Sequence, residues 1–157
     1  LLNYPMHLAM HDYVRQLNEY YVDHPELWEE DCDWSGFSWI SCDDNDNSAI
    51  AFFRTGKDEK DSTVVLCNFT PVVRHSYRIG VPVKGDYVEV FNSDAEAFGG
   101  SNVLNEGVFT AQDVPMHGMD QSIELTLPPL ATIYLRLTED SKHLLEAHES
   151  LDEGPKA

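Results

Sequence analysis

The chain has 157 residues, of which 42% are hydrophobic, and 28 acidic against 10 basic residues give a formal net charge of −18. This length and composition are typical of one folded domain and exclude a disordered or fibrous chain. Because so negative a field repels phosphate groups, the charge argues against nucleic acid and anionic membranes as partners. No apolar run approaches the roughly 18 residues that a membrane span needs. These bounds predict a soluble, acidic domain.

The first residues and the cysteines indicate in which cellular compartment the protein is expected. The chain begins without Met, a basic segment or a cleavage site, so we expect no signal peptide and an origin in a longer protein. Three cysteines, Cys32, Cys42 and Cys67, are odd in number and fit no metal spacing, which favours free, buried thiols in a cytoplasmic protein. The sequon that begins at Asn68 is then without consequence, since glycosylation requires secretion.

The first thirty residues have a helical period. Asn3 can cap this helix and Pro5 suits its first turn, while Pro25 ends it and can begin a second turn. One amphipathic helix cannot bury its own apolar stripe, so we expect that stripe to be partly exposed or covered by another molecule. The stripe consists of Met10, Tyr13, Leu17 and Tyr21.

After Gly36 the apolar period changes from that of a helix to that of a strand. Short strands separated by turn residues predict a mainly β fold, an antiparallel β-sandwich over residues 36–138. The segment 63–69 is apolar on both faces, so it should lie centrally in its sheet. Residues 92–120 are loop-like, apart from a short strand at 108–111. The other predicted strands cover 38–43, 48–54, 74–79, 87–91, 122–127 and 132–137.

No catalytic constellation emerges from the sequence. The acidic residues fall mainly in turns, and His7 and His11 stand one helical turn apart without a third metal ligand. No Ser occupies a nucleophile elbow. Arg74, His75 and Arg78 form a basic group on a predicted strand, which we expect to pair with nearby acids rather than bind phosphate. We therefore predict no catalytic residue, no cofactor and no metal site in this chain.

The remaining candidates for ligand binding are aromatic. Trp34, Phe37 and Trp39 flank Gly36, where helix gives way to strand. An exposed indole can stack on the apolar face of a glucose ring, because it combines an apolar body with a polar edge. Trp39, which is in phase with Phe37, is the stronger glucan-binding candidate, and Trp34 supports it. The alternative, which the position favours, is that these rings fill the seam between helix and sheet.

Several stretches resemble bacterial 1,4-alpha-glucan branching enzymes. Tyr20-Tyr21, then Pro25-Glu26-Leu27 and residues 36–40 (GFSWI), are similar to the last barrel helix and junction of that family. Residues 68–80 (NFTPVVRHSYRIG), 98–102 (FGGSN) and 127–135 (LPPLATIYL) are similar to its C-terminal domain. The resemblance runs in colinear order from about residue 7 to residue 137, which makes chance a poor explanation.

The resemblance implies a retaining transferase of glycogen synthesis in the alpha-amylase clan. Such an enzyme transfers alpha-1,4-glucan segments to 6-hydroxyls and so forms alpha-1,6 branches. The catalytic residues of the family lie on barrel strands upstream of this stretch, so none is carried over and the chain alone is expected to be inactive. The implied partners are an alpha-glucan, such as glycogen or amylose, and the missing catalytic barrel.

The resemblance also implies three parts. Residues 1–35 would be terminal helices of a TIM barrel, and 36–138 would be the C-terminal all-β sandwich that caps and stabilises that barrel. Residues 139–157 form an acidic tail, for which the composition predicts disorder, with a frayed helix over 142–150 as the alternative. A glucan-binding or purely structural C-terminal domain of another alpha-amylase-clan enzyme remains an open alternative.

Overall fold

The computed structural model describes residues 3–152, with side chains as far as residue 147. A helix, α1 (Pro5–Asp23), is followed by 3₁₀ turns over Pro25–Leu27 and Trp34–Gly36. A third 3₁₀ turn, Glu96–Phe98, follows the fifth strand. The strands are β1 (Phe37–Asp44), β2 (Ala49–Thr55), β3 (Ser62–Asn68), β4 (Arg74–Gly80), β5 (Asp86–Asn92), β6 (Phe109–Thr110), β7 (Ser122–Leu127) and β8 (Thr132–Leu137), and helix α2 (Glu139–Asp152) comes last.

The strands form two antiparallel sheets. Six of them hydrogen-bond in the order β1-β2-β3-β8-β5-β6, and β4 pairs with β7 in a second sheet. The core lies between the two sheets, because aliphatic side chains of both pack into one buried cluster. From the large sheet the cluster includes Val64, Leu66, Ile133 and Leu135, and from the small sheet Ile79, Ile123, Leu125 and Leu127. The predicted mainly β, antiparallel sandwich is thus confirmed.

Strand β3 is central, as its two apolar faces predicted. It pairs with β2 on one side and β8 on the other, so both of its edges are hydrogen-bonded. Val64 and Leu66 face the core with no exposed surface. Val65 faces the opposite, outer side, where it lies in register with Phe52 of β2 and Tyr134 of β8. A strand covered on both faces has no solvent-facing set of residues, which explains its unbroken apolar run.

Helix α1 lies against the outer face of the large sheet. Tyr13 packs on Phe91 and Phe98 with ring centroids 5.8 and 5.3 Å apart, and Tyr20 packs 5.2 Å from Tyr134. Tyr4, not Asn3, occupies the N-cap, and no side chain caps it, so the predicted Asn3 cap is wrong. Pro5 accounts for the clean start, because its fixed φ suits the first turn.

The predicted stripe on α1 is partly exposed, as expected. Tyr13 and Leu17 are half-buried, whereas Met10 and Tyr21 are 60% and 48% exposed. No residue of α1 is fully buried. The helix therefore has one apolar side on its own sheet and a second apolar side that the described residues leave open.

A buried ion pair fastens the turn after α1 to the same outer face. Glu26 is 1% exposed, and its Oε1 lies 3.1 Å from Arg136 Nε of β8. The hydroxyl of Thr63 on β3 donates to the same oxygen at 2.7 Å, and Tyr20 Oη lies 3.1 Å from Thr63 Oγ1. Burial raises the pKa of Tyr20 to about 12, which keeps its hydroxyl protonated for this network. Residues 20–26 are therefore held to the sheet by polar as well as aromatic contacts.

Polar side chains in the sequence motifs of the sandwich form hydrogen bonds that hold its loops in place. The Asn68 side chain donates to the carbonyls of Val72 and Pro128 and accepts from the Thr70 amide and hydroxyl. It thereby joins the stretch 68–80 to the stretch 127–135, which is distant in sequence. Asn68 is only 2% exposed, which leaves its sequon inaccessible. In the loop 94–103, the Asp94 carboxylate accepts from both the amide and the hydroxyl of Ser101.

Residues 139–152 form α2, so the predicted disorder is wrong there. Three contacts distant in sequence anchor this helix to the sandwich. Ser141 Oγ accepts from the Asp86 amide at 2.9 Å, Lys142 Nζ lies 2.8 Å from Asp61 Oδ1, and Leu145 packs against the core cluster. A composition count does not register such contacts, because they depend on where the sheet edge lies. The remainder of the predicted tail, 153–157, lies outside the described residues.

Candidate functional site

Two exposed rings and a half-buried one form an aromatic patch at the β1–β2 edge of the large sheet. The patch consists of Phe37 and Trp39 on β1 and Phe52 on β2, with Trp39 and Phe52 directly opposite each other in the register. Ring centroids lie 5.1 Å apart for Phe37 and Trp39 and 5.8 Å apart for Trp39 and Phe52, both edge to face. Trp39 is 51% exposed, so about half of its surface is accessible to a ligand. Ring stacking requires an accessible aromatic surface of this kind.

Trp34 lies just before the aromatic patch and is 95% exposed. It belongs to the 3₁₀ turn that Asp33 caps by accepting from the Ser35 amide at 3.2 Å. The interpretation of these rings as seam filling is therefore wrong for Trp34, and it holds for Trp39 only in part. The rings of α1 that pack on the sheet contact β5 and β8 rather than the aromatic patch on β1 and β2.

The turn before β1 is rigidly held. A Cβ at Gly36 would overlap the Glu30 carbonyl, so only glycine allows this close approach. Arg54 of β2 donates from Nε to the Gly36 carbonyl at 2.8 Å and pairs with Asp31 at 2.6 Å. These contacts fix the path of the chain from Trp34 into β1. Sequence analysis did not include Phe52 in the site, although its position beside Phe53 made both faces of β2 apolar.

The other predicted candidates are dispersed. His7 and His11 are exposed on α1, and the described residues contain no group of three metal-ligating side chains. Cys32 and Cys42 are exposed and Cys67 is half-buried, so the prediction of buried thiols is wrong for the first two. Neither α1 nor α2, over the part of the chain described, is long and apolar enough to cross a membrane.

Two carboxylates are more buried than the sequence suggested. Glu26 and Asp94 are 1% and 6% exposed, whereas we expected the acids to be solvated. Both are engaged in internal bonds, Glu26 with Arg136 and Thr63, and Asp94 with the loop 101–103. A general acid or base has to be within reach of a substrate proton, and these two serve structure instead.

The basic group on β4 divides into two cases. Arg78 pairs with Glu124 at 3.0 Å and donates to Ser122 Oγ at 3.0 Å, as predicted. Arg74 makes no ion pair within the described residues, and its Nη2 donates a long hydrogen bond of 3.4 Å to the Asn47 carbonyl. The prediction of pairing with acids is therefore wrong for Arg74. Arg74 lines a polar pocket that sequence analysis missed, because the pocket depends on the β1–β2 turn folding against β4.

Comparison with known proteins gives consistent matches. The 1,4-alpha-glucan branching enzyme GlgB of Halothermothrix orenii is 49% identical over 136 residues, covering 87% of this chain and 22% of that protein. GlgB 1 of Xanthomonas axonopodis pv. citri is 51% identical over 135 residues, covering 86% and 19%. GlgB of Trichodesmium erythraeum is 43% identical over 152 residues, covering 97% and 20%. The chain thus spans about a fifth of the length of these curated relatives.

A family profile identifies the sandwich. The family described as "Alpha amylase, C-terminal all-beta domain" matches residues 39–138, which is more than half of the chain. That range includes β2 to β8 and most of β1, and so contains both sheets and the core between them. On this match, the chain belongs to the alpha amylase C-terminal all-beta domain family.

Proposed function

We propose that this chain is the C-terminal part of a glycogen branching enzyme, which transfers alpha-1,4-glucan segments to 6-hydroxyls and forms alpha-1,6 branches. The observation that carries the proposal is an identity of 43–51% over most of the chain to proteins named for that reaction. The reaction belongs to the parent protein, whose catalytic residues lie outside this chain. The three free thiols suit a cytoplasmic enzyme.

In this proposal the sandwich, residues 36–138, caps and stabilises a catalytic barrel, and residues 1–35 end that barrel. The open side of α1 supports the assignment. Met10 and Val14 are 60% and 46% exposed, and they continue the apolar stripe away from the sheet. An exposed apolar surface of this kind marks a docking site. In this proposal the barrel covers the open apolar side of α1, while the large sheet covers the other side.

An iodine–amylose assay tests the activity. The purified chain should leave the absorbance unchanged, and the full-length protein that carries it should lower the absorbance with time.

Met10→Asp in the full-length protein should weaken the docking of α1 on the barrel and lower the melting temperature of that protein. Leu144→Asp is the matched control, since Leu144 is 64% exposed on α2 and should tolerate the charge. In the iodine–amylose assay, a catalytic fall in absorbance with the chain alone would overturn the proposal that the catalytic residues lie outside it.

A second candidate function is glucan binding by the chain itself, with Trp39 as the stacking platform and Trp34 in support. The half-exposed indole of Trp39, set edge to face against Phe52, favours it. Trp39→Ala should reduce retardation of the chain in an amylopectin affinity gel, and Trp34→Ala should reduce it less. Trp28→Ala is the control, because Trp28 is 43% exposed outside the aromatic patch. Unchanged retardation in Trp39→Ala would assign the ring to packing.

The purely structural alternative makes the opposite prediction. If the sandwich only supports the barrel, its removal from the full-length protein lowers the melting temperature and leaves the glucan affinity intact. The affinity gel and a thermal melt on the same two proteins therefore separate binding from support.

A further inference from the structure

A polar pocket lies on the other side of the sandwich from α1. It is formed by β4, the β1–β2 turn and the turn around His117, and it has a volume of about 510 Å³. Its lining includes Asp44, Asn47, Arg74, Tyr77 and His117. An irregularity in the β4–β7 register between Arg74 and Tyr77 shapes its floor. Bulges of this kind re-aim side chains and are frequent beside binding sites.

Arg74 is the unusual member of this pocket. Its Nε is buried without a hydrogen-bond partner among the described residues, where the guanidinium donates from Nη2 to the Asn47 carbonyl at 3.4 Å. A buried donor that lacks an acceptor costs roughly 1–3 kcal/mol. The chain has 28 acidic residues, yet no carboxylate of the described residues lies within 4 Å of the half-buried Arg74 guanidinium. We therefore expect the acceptor for this group to come from a ligand.

The other polar groups of the pocket leave donors rather than acceptors available. The Asp44 carboxylate accepts from Tyr77 Oη at 2.7 Å and from the Asn47 amide and side chain at 2.9–3.1 Å. These four bonds use the acceptor sites that a carboxylate offers. His117 accepts the Gly80 amide on Nδ1 at 3.3 Å, which assigns the proton of the neutral ring to Nε2. Arg74 and His117 thus each keep a donor available, beside His75 and Ser76 of the same lining, and His117 lies close enough to Asp44 to act on its charge.

The charges decide between a neutral and an anionic ligand. The Arg78 charge is paired with Glu124, and the Asp44 carboxylate belongs to the same pocket lining as Arg74. The adjoining turn also carries Asp43 and Asp46, in a chain of net charge −18. An anion gains little attraction in such a field. A neutral ligand with many hydroxyl oxygens matches unused donors without this repulsion.

We propose that Arg74 and His117 donate hydrogen bonds to hydroxyl oxygens of an alpha-glucan, which makes this pocket a second glucan contact, separate from the aromatic patch. This inference rests on the proposal that the parent protein acts on alpha-glucan. It assigns a distinct role to each site, since the aromatic patch offers a stacking surface and the pocket offers directed donors. Polar donors of this kind fix the orientation of the ligand that they bind.

Nuclear magnetic resonance of the chain tests the pocket without a variant. The Arg74 Nε–Hε signal should shift on titration with maltoheptaose. Arg74→Lys should weaken maltoheptaose binding about tenfold, since one charge-assisted hydrogen bond is lost and Lys lacks the planar donor pair. Arg15→Gln is the matched control, because Arg15 lies exposed on α1 with its charge paired to Glu19, and it should bind as the unaltered chain does.

The outcomes separate this inference from the proposed function. In the first outcome, maltoheptaose binds and Trp39→Ala abolishes that binding, but the Arg74 signal does not shift and Arg74→Lys leaves the affinity unchanged. This outcome overturns the pocket proposal and retains glucan binding at the aromatic patch. If inorganic phosphate shifts the Arg74 signal and maltoheptaose does not, the ligand is an oxyanion and the proposal fails. If maltoheptaose leaves every signal of the chain unchanged, glucan binding by both sites is refuted, while branching activity of the full-length protein is unaffected by that result.

Discussion

The two faces of the large sheet differ in chemistry. The inner face carries aliphatic side chains with almost no exposed surface, and it packs on β4 and β7. The outer face carries rings: Phe91 and Tyr134 lie under α1, while Phe37 and Trp39 are exposed and Phe52 is half-buried beside them. The helix that covers part of this outer face has no fully buried residue. The inner face therefore holds the fold together, and the outer face is where the chain can meet another surface.

The largest effect should come from the inner face. Leu135→Ala should lower the free energy of unfolding by about 3 kcal/mol, because Leu135 is 0% exposed and its truncation leaves a cavity. Leu130→Ala, at a residue 68% exposed, should change it by less than about 0.5 kcal/mol. Urea unfolding of both variants measures the difference. Equal losses would contradict the assignment of the core to this face.

The buried ion pair on the outer face comes second. Glu26→Gln should cost about 2 kcal/mol in urea unfolding, since the Arg136 guanidinium loses a buried carboxylate and keeps only Asp61 at 3.6 Å. Glu19→Gln on α1 removes an exposed pair with Arg15 and should cost less than about 0.5 kcal/mol. A Glu26→Gln variant as stable as the unaltered chain would mean that the turn after α1 is not anchored.

A smaller difference should distinguish the two sides of α1. Tyr13→Ala should cost about 1 kcal/mol or slightly more, because it removes ring contacts with Phe91 and Phe98. Tyr21→Ala should cost less than about 0.5 kcal/mol in the isolated chain, where Tyr21 is 48% exposed. Amide hydrogen exchange along α1 should accelerate in the first variant only. If the Tyr21 variant is equally destabilised, the open side of α1 is in fact packed.

The smallest effect is a pH dependence at the polar pocket. Burial tends to raise the pKa of Asp44, but hydrogen bonds from Tyr77 and Asn47 outweigh it and hold this pKa below its ordinary value. A carboxylate with a lowered pKa stabilises the fold above its unfolded pKa, and this contribution disappears as pH falls through the folded pKa. The advantage of the unaltered chain over Asp44→Asn should therefore be constant near neutral pH and shrink as pH falls below about 5 and through the lowered pKa of Asp44.

Thermal melts across this pH range measure the Asp44 contribution. Tyr77→Phe should show the same trend more weakly, because it removes one of the four bonds to the carboxylate. A difference from Asp44→Asn that stays constant with pH would show that the carboxylate charge plays no part.

The strands and the central position of β3 could be predicted from the sequence. Alternation at period two, interrupted by turn residues, is a local signal, and the two apolar faces of residues 63–69 report burial on both sides. Sequence analysis identified Trp39 and Trp34 as candidates from their place at a helix–strand junction, but it favoured burial in the seam, and only the structure showed that they are exposed. The amphipathic stripe on the first helix likewise predicted surface that this chain does not cover.

Only the tertiary structure determined which groups meet. The anchoring of α2, the burial of Glu26 and the isolation of Arg74 depend on contacts with Asp61, Arg136 and the β1–β2 turn, which are distant in sequence. Whether a charge finds a partner depends on distances of a few ångströms, and composition does not specify those distances. Local periodicity thus determined the elements and their apolar faces, while packing decided which polar groups remain free to bind.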